Sequence, residues 1–226
     1  MTWLTRTSTA ALLALTALLS ACGGGGEAAR DNLPQARANP QPYPSTYSCS
    51  PAGLAASAQS RWPTVCMLTS SGEMVFELYS DYAPNSVANF LRYVSDGFYT
   101  QTLIHHVDRD FIFQGGAYSS GMRYKQPTYA AIASEANNGL GNMPGTLAMA
   151  RRSDPNSATS QFFVNVRDNP SLDYESPSKA GYTVFGRLIS GAPVLEQINT
   201  QPVLRYAVDD LRPATEVLVY WVQRLQ

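Results

Sequence analysis

The sequence predicts an all-β fold for residues 62–226: a barrel closed on itself, capped by two helices and preceded by an export signal and a disordered tether. Three observations predict it. Short runs rich in β-branched and aromatic residues recur along this segment, divided by Gly, Pro, Ser and Asn turn signals. Only two stretches carry a helical period. Strands that so outnumber their covering helices are best protected by closure, which leaves no open edge.

Taken in order, residues 64–69 and 74–79 are β-rich and split by Ser70-Ser71-Gly72, a hairpin signal. Pro84-Asn85 opens a segment with Val87, Phe90, Leu91 and Val94 at i, i+3, i+4 and i+7, and Gly97 ends it. A Pro in the first turn, one apolar stripe and a Gly stop predict an amphipathic helix. Strands are expected at 103–107, 111–114, 146–150, 162–166 and 182–188. A second helix is expected from Pro193 through Val194, Leu195 and Ile198, and a last strand over 216–225.

The amino terminus reads as an address. Arg6 precedes an apolar run over 10–19 and the small residues Ser20-Ala21, the layout of an export signal too short to span a bilayer. Leu19-Ser20-Ala21-Cys22-Gly23 resembles the lipobox of bacterial lipoproteins, which implies cleavage before Cys22 and its acylation. More than one acyl chain makes anchoring in a lipid bilayer stable. Gly23 stands where an Asp often retains lipoproteins at the inner membrane, so the periplasmic face of the outer membrane is the expected location, ahead of the inner membrane or the cell surface. Residues 23–61 combine four consecutive Gly with Pro34, Pro40, Pro42, Pro44 and Pro51 and few large aliphatics, the composition of a flexible linker. The expected divisions are a signal peptide over 1–21, a lipid-anchored linker over 22–61 and a folded domain over 62–226. Cys49 and Cys66 are the two other cysteines. In an exported chain they are expected to pair, contributing about 3 kcal/mol by chain entropy, with two free thiols as the alternative.

The formal charge of −1 argues against nucleic acid as a partner, because phosphate binding needs a concentrated basic surface. Two histidines and three cysteines leave no Cys-rich zinc site. His105 and His106 are expected to point to opposite faces of a strand, which argues against a metal pair; no metal and no cofactor are expected. Nucleophile elbows, P-loops and dinucleotide fingerprints are absent from the sequence.

What stands out is a set of apolar and amide blocks: Pro84-Asn85-Ser86-Val87-Ala88-Asn89-Phe90, Gly97-Phe98-Tyr99, Phe111-Ile112-Phe113-Gln114-Gly115-Gly116, Gly145-Thr146-Leu147-Ala148-Met149-Ala150-Arg151, Ser160-Gln161-Phe162-Phe163-Val164-Asn165 and Gly181-Tyr182-Thr183-Val184-Phe185-Gly186. In this order and separation they resemble the cyclophilin family of peptidyl-prolyl isomerases, bacterial exported type, over about residues 65–220. The resemblance implies an eight-stranded antiparallel barrel capped by a helix at each end, with an outer groove for Xaa-Pro segments of polypeptides. Carried over by position, it implies a proline pocket of Phe111, Ile112, Phe163 and Leu172 and side-chain amides from Gln114 and Gln161. Backbone groups of Arg151 would hold the carbonyl before the proline, and Ala150, Arg152 and Tyr182 would line the groove.

The sequence departs from the family at its catalytic motif. That motif runs Phe-His-Arg-Val-Ile-Pro-Gly-Phe, and its Arg donates to the prolyl nitrogen; here His106 holds the Arg position within Ile104-His105-His106-Val107-Asp108-Arg109-Asp110-Phe111. Imidazole offers one N–H where Arg offers a fork. Asp108, two residues on, is expected to orient His106 and favour its cation, and Arg109 is the alternative source of a guanidinium. Ser171 replaces the aromatic that often precedes Leu172, so weak cyclosporin binding is expected, checked by direct titration. The function expected is that of a monomeric isomerase of exported proteins with His106, Phe111 and Gln114 as its catalytic residues. The alternative is an anchored module that binds Pro segments as a chaperone with little turnover.

Overall fold

The computed structural model describes residues 35–226. The chain runs α1 (Pro51–Ser57), β1 (Thr64–Thr69), β2 (Gly72–Leu78), α2 (Pro84–Ser95), β3 (Thr102–Asp108), β4 (Ile112–Ser119), β5 (Arg123–Tyr124), β6 (Thr146–Met149), β7 (Phe162–Asn165), a 3₁₀ turn (Pro170–Leu172), β8 (Val184–Ser190), α3 (Ala192–Thr200), β9 (Val203–Ala207), β10 (Asp210–Pro213) and β11 (Val217–Arg224). Eight strands pair antiparallel in the order β3-β11-β1-β2-β8-β6-β7-β4, and β4 pairs back onto β3, so the barrel closes. Short β5 extends from β4, and β9 and β10 form a separate hairpin.

Strand alternation sorts side chains into an inner core and outer patches. Phe113, Leu147, Phe162, Val164 and Phe185 point inward, where Met67, Phe76 and Ile104 join them. Their neighbours Ile112, Ala148, Phe163 and Val184 form a second apolar cluster on the outer wall. Both expected helices turn their apolar stripe onto the inner core, α2 through Val87, Phe90 and Val94 and α3 through Ile198, Val194 and Leu195. Phe90 packs on Tyr99, Phe162 and Phe185 with ring centroids 5.1–5.8 Å apart.

Three expectations are corrected. Folded structure reaches back beyond the linker boundary expected at Arg61. Arg37 pairs in parallel with Thr215, the Tyr43 hydroxyl donates to the Tyr220 carbonyl, and residues 51–57 are helical. Ser50 caps that helix by accepting from Gly53 N, Pro51 presets its first turn, and the Glu73 carboxylate accepts from Ser50 N and Oγ at 2.7 and 2.6 Å. Cys49 and Cys66 are bonded, with Cα atoms 6.1 Å apart, and tie this segment to β1. Second, the strand expected to stop at Gln114 continues through Gly115-Gly116 to Ser119. Gly115 is there for packing, because a Cβ would stand 2.9 Å from Ile104 Cδ1 and 3.0 Å from Phe162 Cζ. Third, 203–213 form a hairpin that had no place in the expected order. The signal over 1–21, Cys22 and the Gly-rich start of the linker lie outside the described residues.

Candidate active site

Strands β4, β6, β7 and β8 present the outer cluster. Ile112, Ala148, Phe163 and Val184 are buried and form its floor, and Phe111, Ala150, Leu172 and Tyr182 stand partly exposed around it. The Tyr182 ring meets Phe163 edge-on, 5.4 Å between centroids. Leu172 is carried on the 3₁₀ turn, and its carbonyl accepts from Tyr182 N at 2.9 Å, which closes the two walls against each other.

Beneath these walls lies an amide network that sequence reasoning missed. Asn142, Asn165 and Asn169 are 0, 0 and 2% exposed. Asn169 Nδ2 donates to the Phe111 carbonyl at 3.0 Å and to Asn165 Oδ1 at 2.8 Å. Asn165 Nδ2 donates to Asn142 Oδ1 and Thr146 Oγ1, and Asn142 Nδ2 donates to the Leu172 carbonyl at 3.0 Å. The network therefore fixes Phe111 and Leu172 from below. Its trace in the sequence was amide residues at positions where a barrel strand and its loop are otherwise buried.

On the neighbouring flank, Gln114 on β4 donates from Nε2 to Gln161 Oε1 at 2.8 Å, which leaves the Gln161 amide nitrogen free to donate into the groove. Cavities open on both sides of this pair. One, of about 170 Å³, is lined by Gln114, Gln161, Ala150, Arg151 and Arg152 among others. The Arg151 guanidinium is turned away onto the Gly181 carbonyl (2.8 Å) and the Tyr182 ring (4.5 Å to the centroid). No hydrogen bond among the described residues uses the Arg151 backbone N–H or C=O, so both remain available to a peptide. Arg152 is exposed, and its N–H donates to Ser157 Oγ at 2.9 Å.

The second cavity, of about 460 Å³, contains His106, Asp108, Phe111, Gln114 and Gln161. His106 pairs with Gln114 across β3 and β4, so its ring stands beside the amide pair. His105 opens into the same cavity, which corrects the expectation that the two rings face apart. The register slips between Ile104 and His106, two steps on β3 for one on β4; this bulge turns consecutive side chains to one side. Burial lowers the His106 pKa below its ordinary value, and the opposing pull of the Asp108, Asp210 and Asp209 carboxylates does not restore it. The imidazole is neutral at pH 7, not the cation expected from Asp108 alone. Arg109, the alternative source of a guanidinium, leaves the groove and donates to the Thr200 carbonyl at 2.6 Å. The hairpin instead places Arg212 in the cavity wall, held by Asp210 through Nε (2.7 Å) and Nη2 (2.5 Å).

Comparison with known proteins agrees with this geometry. The family model of cyclophilin type peptidyl-prolyl cis-trans isomerases matches residues 64–222. A peptidyl-prolyl cis-trans isomerase of Acinetobacter baylyi is 45% identical over 157 residues, 70% of this chain and 82% of that protein. Peptidyl-prolyl cis-trans isomerase B of Escherichia coli is 42% identical over 153 residues, 67% of this chain and 93% of that protein. Among solved structures, a cyclophilin type isomerase of Cryptosporidium parvum, crystallised in the presence of the dipeptide Ala-Pro, superposes with a TM-score of 0.60 at 28% identity. The superposition covers 70% of this chain and 96% of that one. Barrel order, outer cluster and sequence match agree: this chain belongs to the cyclophilin-type peptidyl-prolyl cis-trans isomerase family.

Proposed function

We propose that the domain isomerises Xaa-Pro bonds of exported polypeptides. It works as a monomer anchored through acylated Cys22 at the periplasmic face of the outer membrane, with His106 in the family's arginine position. The observation that carries the reading is the outer apolar cluster of Phe111, Ile112, Phe163 and Leu172 bordered by the Gln114–Gln161 pair. The planar amide resists rotation by about 18–20 kcal/mol. A prolyl ring seated among these side chains is held while the preceding carbonyl turns, with the free Arg151 backbone and the Gln161 amide as its hydrogen-bond partners. Desolvation disfavours the charge-separated planar form, and an N–H aimed at the prolyl nitrogen weakens its double-bond character. Both act on the twisted state more than on either planar one.

Neutral His106 favours slow turnover, because its donor is uncharged. Exchange NMR on an Ala-Pro peptide tests the reading: faster cis-trans exchange supports an isomerase, and binding without acceleration leaves an anchored Pro-segment binding module. For the anchor, the pattern ending in Cys22 and the Cys49–Cys66 bridge both suit an exported chain. Cys22→Ser should release the protein from the membrane fraction.

A further inference from the structure

The hairpin β9–β10 packs beside β3 and supplies Asp209, Asp210 and Arg212 to the larger cavity. Three carboxylates therefore share that space with one guanidinium, since Asp108 also faces it. Asp210 is committed to Arg212 by two hydrogen bonds. Asp108 and Asp209 have no hydrogen bond or ion pair to their carboxylates among the described residues. His105, only 8% exposed, lies in the same wall.

We propose that this cavity is a specificity subsite for a Lys or Arg side chain carried one or two residues after the proline. The assignment rests on the isomerase reading of the adjoining groove. Its direction comes from the Gln114–Gln161 pair that separates the two cavities. The Arg151 side of that pair receives the residue before the proline, so the His106 side receives the residues after it. A metal ion fits less well. It needs ligand atoms converging on a point, and among the described residues no such convergence of three includes His105, His106, Asp108 or Asp209. A long side chain with several N–H donors needs no single point and can span separated acceptors.

The test measures kcat/KM and Kd for Ala-Ala-Pro-Xaa-Ala peptides with Xaa Lys, Gln or Glu, at low and high salt. Lys should exceed Glu by about tenfold at low salt, with Gln between, and the spread should shrink as salt screens it. Asp209 is exposed in the hairpin turn, so its substitution should not disturb folding. Asp209→Asn should narrow the Lys-to-Glu ratio by about threefold, and Asp209→Lys should abolish or invert it. Equal values for the three peptides, or an unchanged Lys preference in Asp209→Lys, would overturn the proposal. If no peptide is isomerised, the isomerase reading fails by itself; the subsite then stands or falls on whether Kd still tracks peptide charge.

Discussion

His105 and His106 sit side by side on a bulge and make opposite demands on pH. His105 is almost wholly buried, and burial, with a smaller contribution from neighbouring His106, lowers its pKa to about 4. An unfolded chain titrates the same ring near 6.5. Above that value neither state is protonated, and the shift has no effect on stability. Between about 6.5 and 4 the unfolded state binds the extra proton, so stability falls as pH falls, by up to about 3 kcal/mol. Urea midpoints should therefore drop across this window in the native protein, and a His105→Gln variant should show a flatter profile. An equally steep profile in the variant would contradict the assignment. His106 is less buried and acts on rate. Its lowered pKa keeps it neutral at pH 7, so kcat/KM should be level above pH 6.5 and climb below it as a stronger, charged donor forms. His106→Arg should raise kcat/KM at pH 7 by roughly 10-fold or more, the worth of a charge-assisted hydrogen bond. No gain would show that this position does not limit turnover. The swap itself was legible in the sequence, because His105, Val107 and Phe111 keep their places in the motif around it. The neutral state was not, since it depends on burial by elements remote in the chain.

Element-level placement explains what could be read and what could not. β7 could be read because Phe162, Phe163, Val164 and Asn165 alternate between inner core and outer wall with the period of an ordinary strand. The β3 bulge was hidden, because the strict alternation expected for Ile104-His105-His106-Val107 breaks only where β4 slips against it. The hairpin of β9 and β10 was hidden for a different reason. Its exposed face and the Val208-Asp209 turn lack the Asn-Gly or Asp-Gly signature, and its packing partner β3 lies far back in the chain. The asparagine network went unread because amides in loops usually signify turns. It offers the sharpest test at this scale. Asn169→Ala removes both bonds from Nδ2; it leaves Asn165 Oδ1 unpaired in a buried site and the Phe111 carbonyl with Val166 N as its remaining donor. The cost should be about 1–3 kcal/mol. Because Phe111 loses one of the bonds that hold it, KM for Pro peptides should rise more than the loss of folded protein explains. An unchanged KM in the folded fraction would confine the network to a structural role.

Across the whole molecule, the barrel keeps its candidate chemistry and its covalent staple on different patches of the outer wall. The site cluster draws on β4, β6, β7 and β8, whereas Cys49 and Cys66 lie in a separate cluster with Val75, Tyr220 and Trp221. The segment leading into α1 was expected to be tether because it lacks large aliphatic residues. It is held instead by groups that a hydropathy reading discounts: the bridge, Ser50 against Glu73, and Tyr43 packed 5.1 Å from the Tyr220 ring. Each fixes the chain at one place, and the bridge alone acts on the unfolded state as well, by closing a loop between positions 17 apart. That difference separates its effects on stability and activity. Replacing both cysteines by serine should lower the unfolding free energy by about 3 kcal/mol, and dithiothreitol should lower the native protein to the same level without further effect on the variant. At temperatures where the variant stays folded, kcat/KM should match the native value, because no side chain of the site cluster belongs to the bridged one. A parallel fall in kcat/KM would mean that the covering segment and α1 help to shape the groove from across the barrel.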